Sequence, residues 1–83
     1  MSRSMKISNK NRSRYIELGL NVAYYRKLTG ITQEALAERC GLSRTYISNI
    51  EASNMITTVS LEALFNIADA LEIEPYKLLE FRT

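Results

Sequence analysis

A glycine followed closely by a hydroxyl-bearing residue punctuates this chain twice, at Gly30–Thr32 and again at Gly41–Ser43. Glycine takes the left-handed backbone that ends a helix, and a Thr or Ser side chain caps the helix that follows. A chain so marked folds into short helices joined by tight turns. The apolar residues between the marks agree. From about residue 14, Leu18, Val22, Tyr25 and Leu28 recur at helical spacing and form one stripe. Leu36, Ala37 and Cys40 give the second helix its inner face, and Glu34 sits in its first turn, where the helix dipole favours an acid. A third helix follows Ser43 and runs to about Ala52. The loop "SNMITTV" comes next and carries no charge. Ser60 caps a fourth helix, with Leu61, Leu64, Ala68 and Leu71 facing inward and Phe65 and Ile67 widening that face. Pro75 suits the first position of a short fifth helix reaching about Phe81. No segment reads as a credible strand. The expectation is an all-α, compact five-helix domain over residues 15–83, preceded by a flexible basic arm over residues 1–14.

Composition narrows the function classes. The 83 residues suffice for one small domain, and 46% hydrophobic with 24% charged residues is a globular balance. The longest apolar runs are a few residues, so no membrane span is expected, and the N-terminus lacks the apolar core of a secretory signal. A single cysteine, Cys40, makes no internal disulfide, which suits a reducing cytoplasm. Histidine is absent, which removes the commonest general base and metal ligand. These features argue against an enzyme, a metal site or a cofactor, and Cys40 reads as a small core residue.

The formal charge of +2 is unevenly placed. Residues 1–51 hold nine Lys/Arg and four Asp/Glu, a net +5, while residues 52–83 hold two and five, a net −3. Arg3, Lys6, Lys10, Arg12 and Arg14 fall in the first fourteen positions with no acid among them. Two readings of this arm stand side by side: a segment facing a polyanion, or solvated charge that aids solubility.

The third helix carries the most specific signal. On a wheel of about 100° per residue with Arg44 at the origin, Ser48, Thr45 and Asn49 fall at roughly 40°, 100° and 140°. Tyr46, Ile50 and Ile47 occupy the opposite arc, with Tyr46 on its flank. Thr, Ser and Asn are weak helix formers, so a face built from them sacrifices helix propensity. Their chemistry suits base edges: Arg pairs bidentate with guanine, Asn pairs with adenine, and Thr offers a hydroxyl and a methyl to thymine. The alternative is a merely polar face. The four residues "CGLS" before it, with Ala37 allowing close approach and Leu42 pinning the turn, make a helix-turn-helix.

The stretch "TQEALAERCGLSRTYISNIE", Thr32 to Glu51, resembles the helix-turn-helix of the Cro and lambda-repressor-like (XRE-type) family of bacterial DNA-binding proteins. Gln33, Ala37, Gly41, Ile47, Ile50 and Glu51 match its pattern, as do Gly30–Gln33 before it and "SLEALFNIADAL" after it. The resemblance implies a third helix lying in the major groove, with Arg44, Thr45 and Asn49 at base edges and Ser48 at the margin of the contact. It implies that Gln33 binds a phosphate and steadies the first residue of the reading helix. Ser43 would cap its helix and touch phosphate, and Arg26 and Glu51 would form an orienting ion pair. A finer resemblance is to the controller proteins of restriction–modification systems, carried by "SRTYIS" and the long loop before "SLEAL". In those proteins the loop brings basic residues to the DNA backbone. Here residues 52–59 are uncharged, leaving Asn54, Thr57 and Thr58 as hydrogen-bond donors. Tyr46 has two readings, a packed ring or a hydroxyl reaching phosphate.

One reading helix contacts too few base pairs for genomic specificity. The resemblance therefore implies a homodimer on a palindromic double-stranded operator, with half-sites about 34 Å apart. Tyr76, Leu79 and Phe81 are the expected dimer interface, and Leu78 serves the monomer core. The function expected is a sequence-specific, cytoplasmic transcription regulator with no small-molecule ligand. The alternative is an antitoxin-like or adaptor helical module acting mainly through protein–protein interaction.

Overall fold

A computed structural model describes residues 6–81. Helix α1 spans Asn9–Thr29, α2 Gln33–Cys40, α3 Arg44–Glu51 and α4 Leu61–Leu71. A 3-10 helix, η1, spans Pro75–Leu79. The chain is all-helical among its described residues, and the expected fifth helix is this 3-10 turn rather than an α-helix. Five residues are too few to close a stable α-helical run, and a segment this short takes the tighter 3-10 form.

Each expected cap forms. The side chains of Thr32, Ser43 and Ser60 accept hydrogen bonds from the backbone N–H groups of Ala35, Tyr46 and Ala63. Gly30 and Gly41 take the left-handed conformation, at φ 82° and 70°, and close α1 and α2. Glu72 ends α4 in the same conformation at φ 58°, a place where no glycine marked the stop.

Helix α1 begins earlier than the apolar pattern suggested. Ser8 caps it by accepting from the Asn11 N–H, and Arg14 donates to Asn11 Oδ1 at 3.0 Å. Residues 9–14, expected as flexible arm, are thus helix, held by a cap and a local side-chain pair that hydrophobic periodicity does not register. Arg3 lies outside the described residues.

The core is one cluster of Leu18, Val22, Leu36, Ala37, Cys40, Ile47, Ile50, Leu64, Ile67, Ala68, Leu71 and Leu78. Helix α1 packs on α3, α4 and η1, while α2 packs on α3 and α4. Three expected core residues are outside it: Leu28 is 69% exposed, Leu61 66% and Phe65 45%. Leu28 lies about 80° around α1 from Leu18, off the stripe, at 100° per residue. On α4 the buried arc turns toward Ala63 and Ile67, which leaves Leu61 and Phe65 beyond its other edge. Leu42 is half-buried against the core, as expected for a residue pinning the turn.

Candidate nucleic-acid interface

Helix α3 stands on two buried anchors, Ile47 at 0% and Ile50 at 4% exposure. Its opposite side presents Arg44 and Thr45, both exposed, and Ser48 and Asn49, both half-buried. The four share one face, as the wheel required.

A polar network fixes the helix at its C-terminal end. Arg26 donates from Nε to Glu51 Oε2 at 2.7 Å and from Nη2 to Glu51 Oε1 at 3.0 Å. Its third group, Nη1, donates to the Ile31 carbonyl at 2.8 Å. The two side chains are 12% and 6% exposed, so the pair is shielded from water and from salt. The hydrogen bond with Glu51 raises the already high pKa of Arg26, and the guanidinium is permanently charged. Gln33 joins the pair by donating from Nε2 to Glu51 Oε1 at 2.9 Å. This link was absent from the sequence reading, which gave Gln33 only to phosphate and to Arg44. One carboxylate therefore gathers α1, the start of α2 and the end of α3 into a single rigid junction.

Beside that junction lies a cleft of about 430 Å³ lined by Arg26, Thr32, Gln33, Glu34 and Arg44. It opens at the positive end of α2, where helix N–H groups favour an anion. Ser43 is exposed at the start of α3, its oxygen occupied as the cap acceptor for Tyr46 N–H at 3.0 Å.

The loop after α3 is tied down by two hydroxyls. Tyr46 donates to the Thr58 carbonyl at 3.1 Å, and Thr57 donates to the Asn49 carbonyl at 3.3 Å. Thr57 was expected as a donor to phosphate, and Tyr46 either there or as a packed ring; both protons are engaged within the chain. Tyr46 also packs its ring on the core. Asn54 is exposed at the tip of the loop.

Tyr76 and Leu79 lie on η1, 58% and 48% exposed, whereas Phe81 is half-buried against the core of its own chain. Cys40 is buried, and its burial pushes the thiol pKa up, which keeps it neutral and unreactive. The described residues contain no cluster of metal-ligating side chains and no helix long and apolar enough to cross a membrane.

A helix-turn-helix family model matches residues 22–78. The chain belongs to that family. It is a family of sequence-specific, non-enzymatic DNA-binding transcription regulators. The chain is 44% identical over 55 residues to control protein C.BamHI of Bacillus amyloliquefaciens, an overlap covering 66% of this chain and 65% of that protein. It is 42% identical over 62 residues to control protein C.SmaI of Serratia marcescens, covering 75% of this chain and 71% of that one. Its fold superposes on the crystal structure of the restriction–modification controller protein C.AhdI from Aeromonas hydrophila with a TM-score of 0.74 at 33% identity. That match spans 80% of this chain and 97% of the controller protein.

Proposed function

We propose that this helix-turn-helix protein regulates transcription as a homodimer on a palindromic double-stranded operator, with α3 of each copy in the major groove. The observation that carries this reading is the construction of α3. Its outward face, Arg44, Thr45, Ser48 and Asn49, is chemically suited to base edges and is held by two buried isoleucines and the Arg26–Glu51–Gln33 junction. Such a rigid mounting is what discrimination between bases requires, since each bidentate contact depends on fixed geometry.

Phosphates are taken by Gln33 and the N-terminus of α2, with Ser43 beside them and Asn54 at the loop tip. Tyr46 and Thr57 serve the interface indirectly, by shaping the loop. The absence of charge in residues 52–59 gives that loop a smaller share of the salt-dependent affinity than basic loops would have. Similarity to the controller proteins favours the same class of role here, the regulation of a restriction–modification operon. The relevant compartment is the cytoplasm, where that DNA resides.

Selection from a randomised duplex library tests the reading. The expected product is a two-fold symmetric consensus with half-site centres about one helical turn apart. Recovery of no enriched motif at moderate salt would sink it. Replacing Arg44 with alanine should cost about 1–3 kcal/mol of binding and relax one base position in each half-site. A uniform loss across all sequences would instead make Arg44 a phosphate contact. Titrations of single-position operator variants separate the two.

A further inference from the structure

Helix α1 is apolar on two sides. Leu18, Gly19 and Val22 are its buried residues. On a wheel of about 100° per residue with Leu18 at the origin, they set the inward direction at about 50°. Leu20, Tyr24 and Leu28 fall at roughly 200°, 240° and 280°, on the far side. They are 50%, 51% and 69% exposed. A single exposed leucine is ordinary, but large apolar side chains at every fourth position make a continuous strip. The outward side of a surface helix normally carries polar residues instead. Tyr24 is braced: its ring meets that of Tyr25 edge-on, with centroids 5.0 Å apart at 82°, and Tyr25 packs on the core.

The order of residues along the strip selects its occupant. Glu17, Leu20, Tyr24 and Lys27 step by three, four and three, the spacing of a coiled-coil seam. Glu17 is half-buried and Lys27 exposed. The seam is symmetric about residue 22. Leu20 and Tyr24 stand equally far to either side of it, as do Glu17 and Lys27, and as do Ile16 and Leu28 at the margins. Lay a second α1 antiparallel across that centre. Leu20 of each copy then meets Tyr24 of the other, and Glu17 of each meets Lys27 of the other. A two-fold isologous contact needs this self-complementarity. A parallel pairing in register would set Glu17 against Glu17 and Lys27 against Lys27, so the charges choose the antiparallel one.

We propose that the outward face of α1 is a contact surface for a second copy of this chain, with the two helices antiparallel and centred near residue 22. The strip's centre is roughly 140° around the helix from Arg26, so the junction with α3 is left undisturbed. The surface is also separate from η1, where the operator-binding homodimer is expected, and the inference does not rest on that reading. DNA is excluded as the occupant, because the strip is apolar and carries an acid that repels phosphate.

Disulfide capture tests the register. In the variant Glu17→Cys, Lys27→Cys the two thiols of one chain are ten residues apart, on the order of 15 Å, too far to join each other. Mild oxidation should give a covalent dimer on a non-reducing gel. Either single variant should stay monomeric, since like positions lie equally far apart across the antiparallel pair, and a mixture of the two singles should give the heterodimer. Cys40 is buried, so the parent chain should give none. Sedimentation equilibrium tests the charges. Lys27→Glu should weaken self-association about tenfold or more, by opposing like charges at two symmetric sites. Adding Glu17→Lys should restore it, and because that chain keeps the altered helix end, restoration excludes a folding defect. No capture in the double variant, or capture in the singles as efficient as in their mixture, overturns the proposal. Selective capture in a chain that enriches no operator leaves this contact standing and removes the operator reading; operator binding without capture does the reverse.

Discussion

Replacing Gly19 with alanine should destabilise the protein by about 3 kcal/mol or more, the upper range for forcing atoms into a packed core. A Cβ at this position would land on the carbonyl oxygen of Ile50, with the carbonyl carbon at 3.0 Å and Glu51 Cα at 3.5 Å. All three are backbone atoms of α3 and have no rotamer through which to retreat. In an exposed helix the same change would stabilise by about 1 kcal/mol, so the expected sign is the reverse of the propensity rule. A domain of this size has a modest margin, and such a loss is a large share of it. Urea denaturation followed by circular dichroism should show a much lower midpoint. A midpoint equal to or above that of the parent would refute close α1–α3 packing at Gly19.

The second large effect is expected at Glu51. Replacement by alanine leaves Arg26, whose side chain is 12% exposed, with its charge uncompensated, and strands the Gln33 amide. Breaking a buried pair in this way costs about 3–5 kcal/mol. Glu51→Gln keeps the shape and part of the hydrogen bonding, so it should lose less. The functional signature follows from geometry. The junction orients α3, so the Glu51→Gln protein, if folded, should lose discrimination between operator and random duplex more than it loses non-specific binding. Fluorescence anisotropy on both duplexes measures this. Equal losses on the two would assign Glu51 to stability alone.

These two residues differ in how legible they were. Glu51 matched a family pattern together with Arg26, and the ion pair is present. Gln33's part in it was not readable, because a glutamine at a helix start satisfies a phosphate as well as a neighbouring carboxylate. Gly19 gave no signal at all. It sits inside a helical pattern, and the need for a missing side chain arises only when a second helix crosses there. Tyr46 and Thr57 were ambiguous for a related reason. A hydroxyl in a sequence is a donor without an address, and the fold aimed both at backbone carbonyls of the loop. The start of α1 was missed because a polar helix secured by Ser8 and an Asn11–Arg14 pair has no hydrophobic period to detect.

Local chemistry, by itself, determined the cores of the four α-helices, most of their caps and the outward face of α3. Gly30, Gly41, Thr32, Ser43 and Ser60 act on backbone within a few residues, and the division of α3 into Ile47 and Ile50 against Arg44, Thr45, Ser48 and Asn49 is a matter of angle along one helix. Tertiary structure alone decided what those helices meet: which carbonyl Gly19 touches, which side of α4 is buried, and what Gln33 holds. Caps and periodicity are short-range properties that survive in isolation. Contacts between residues far apart in the chain depend on how the helices pack, and no single segment encodes that.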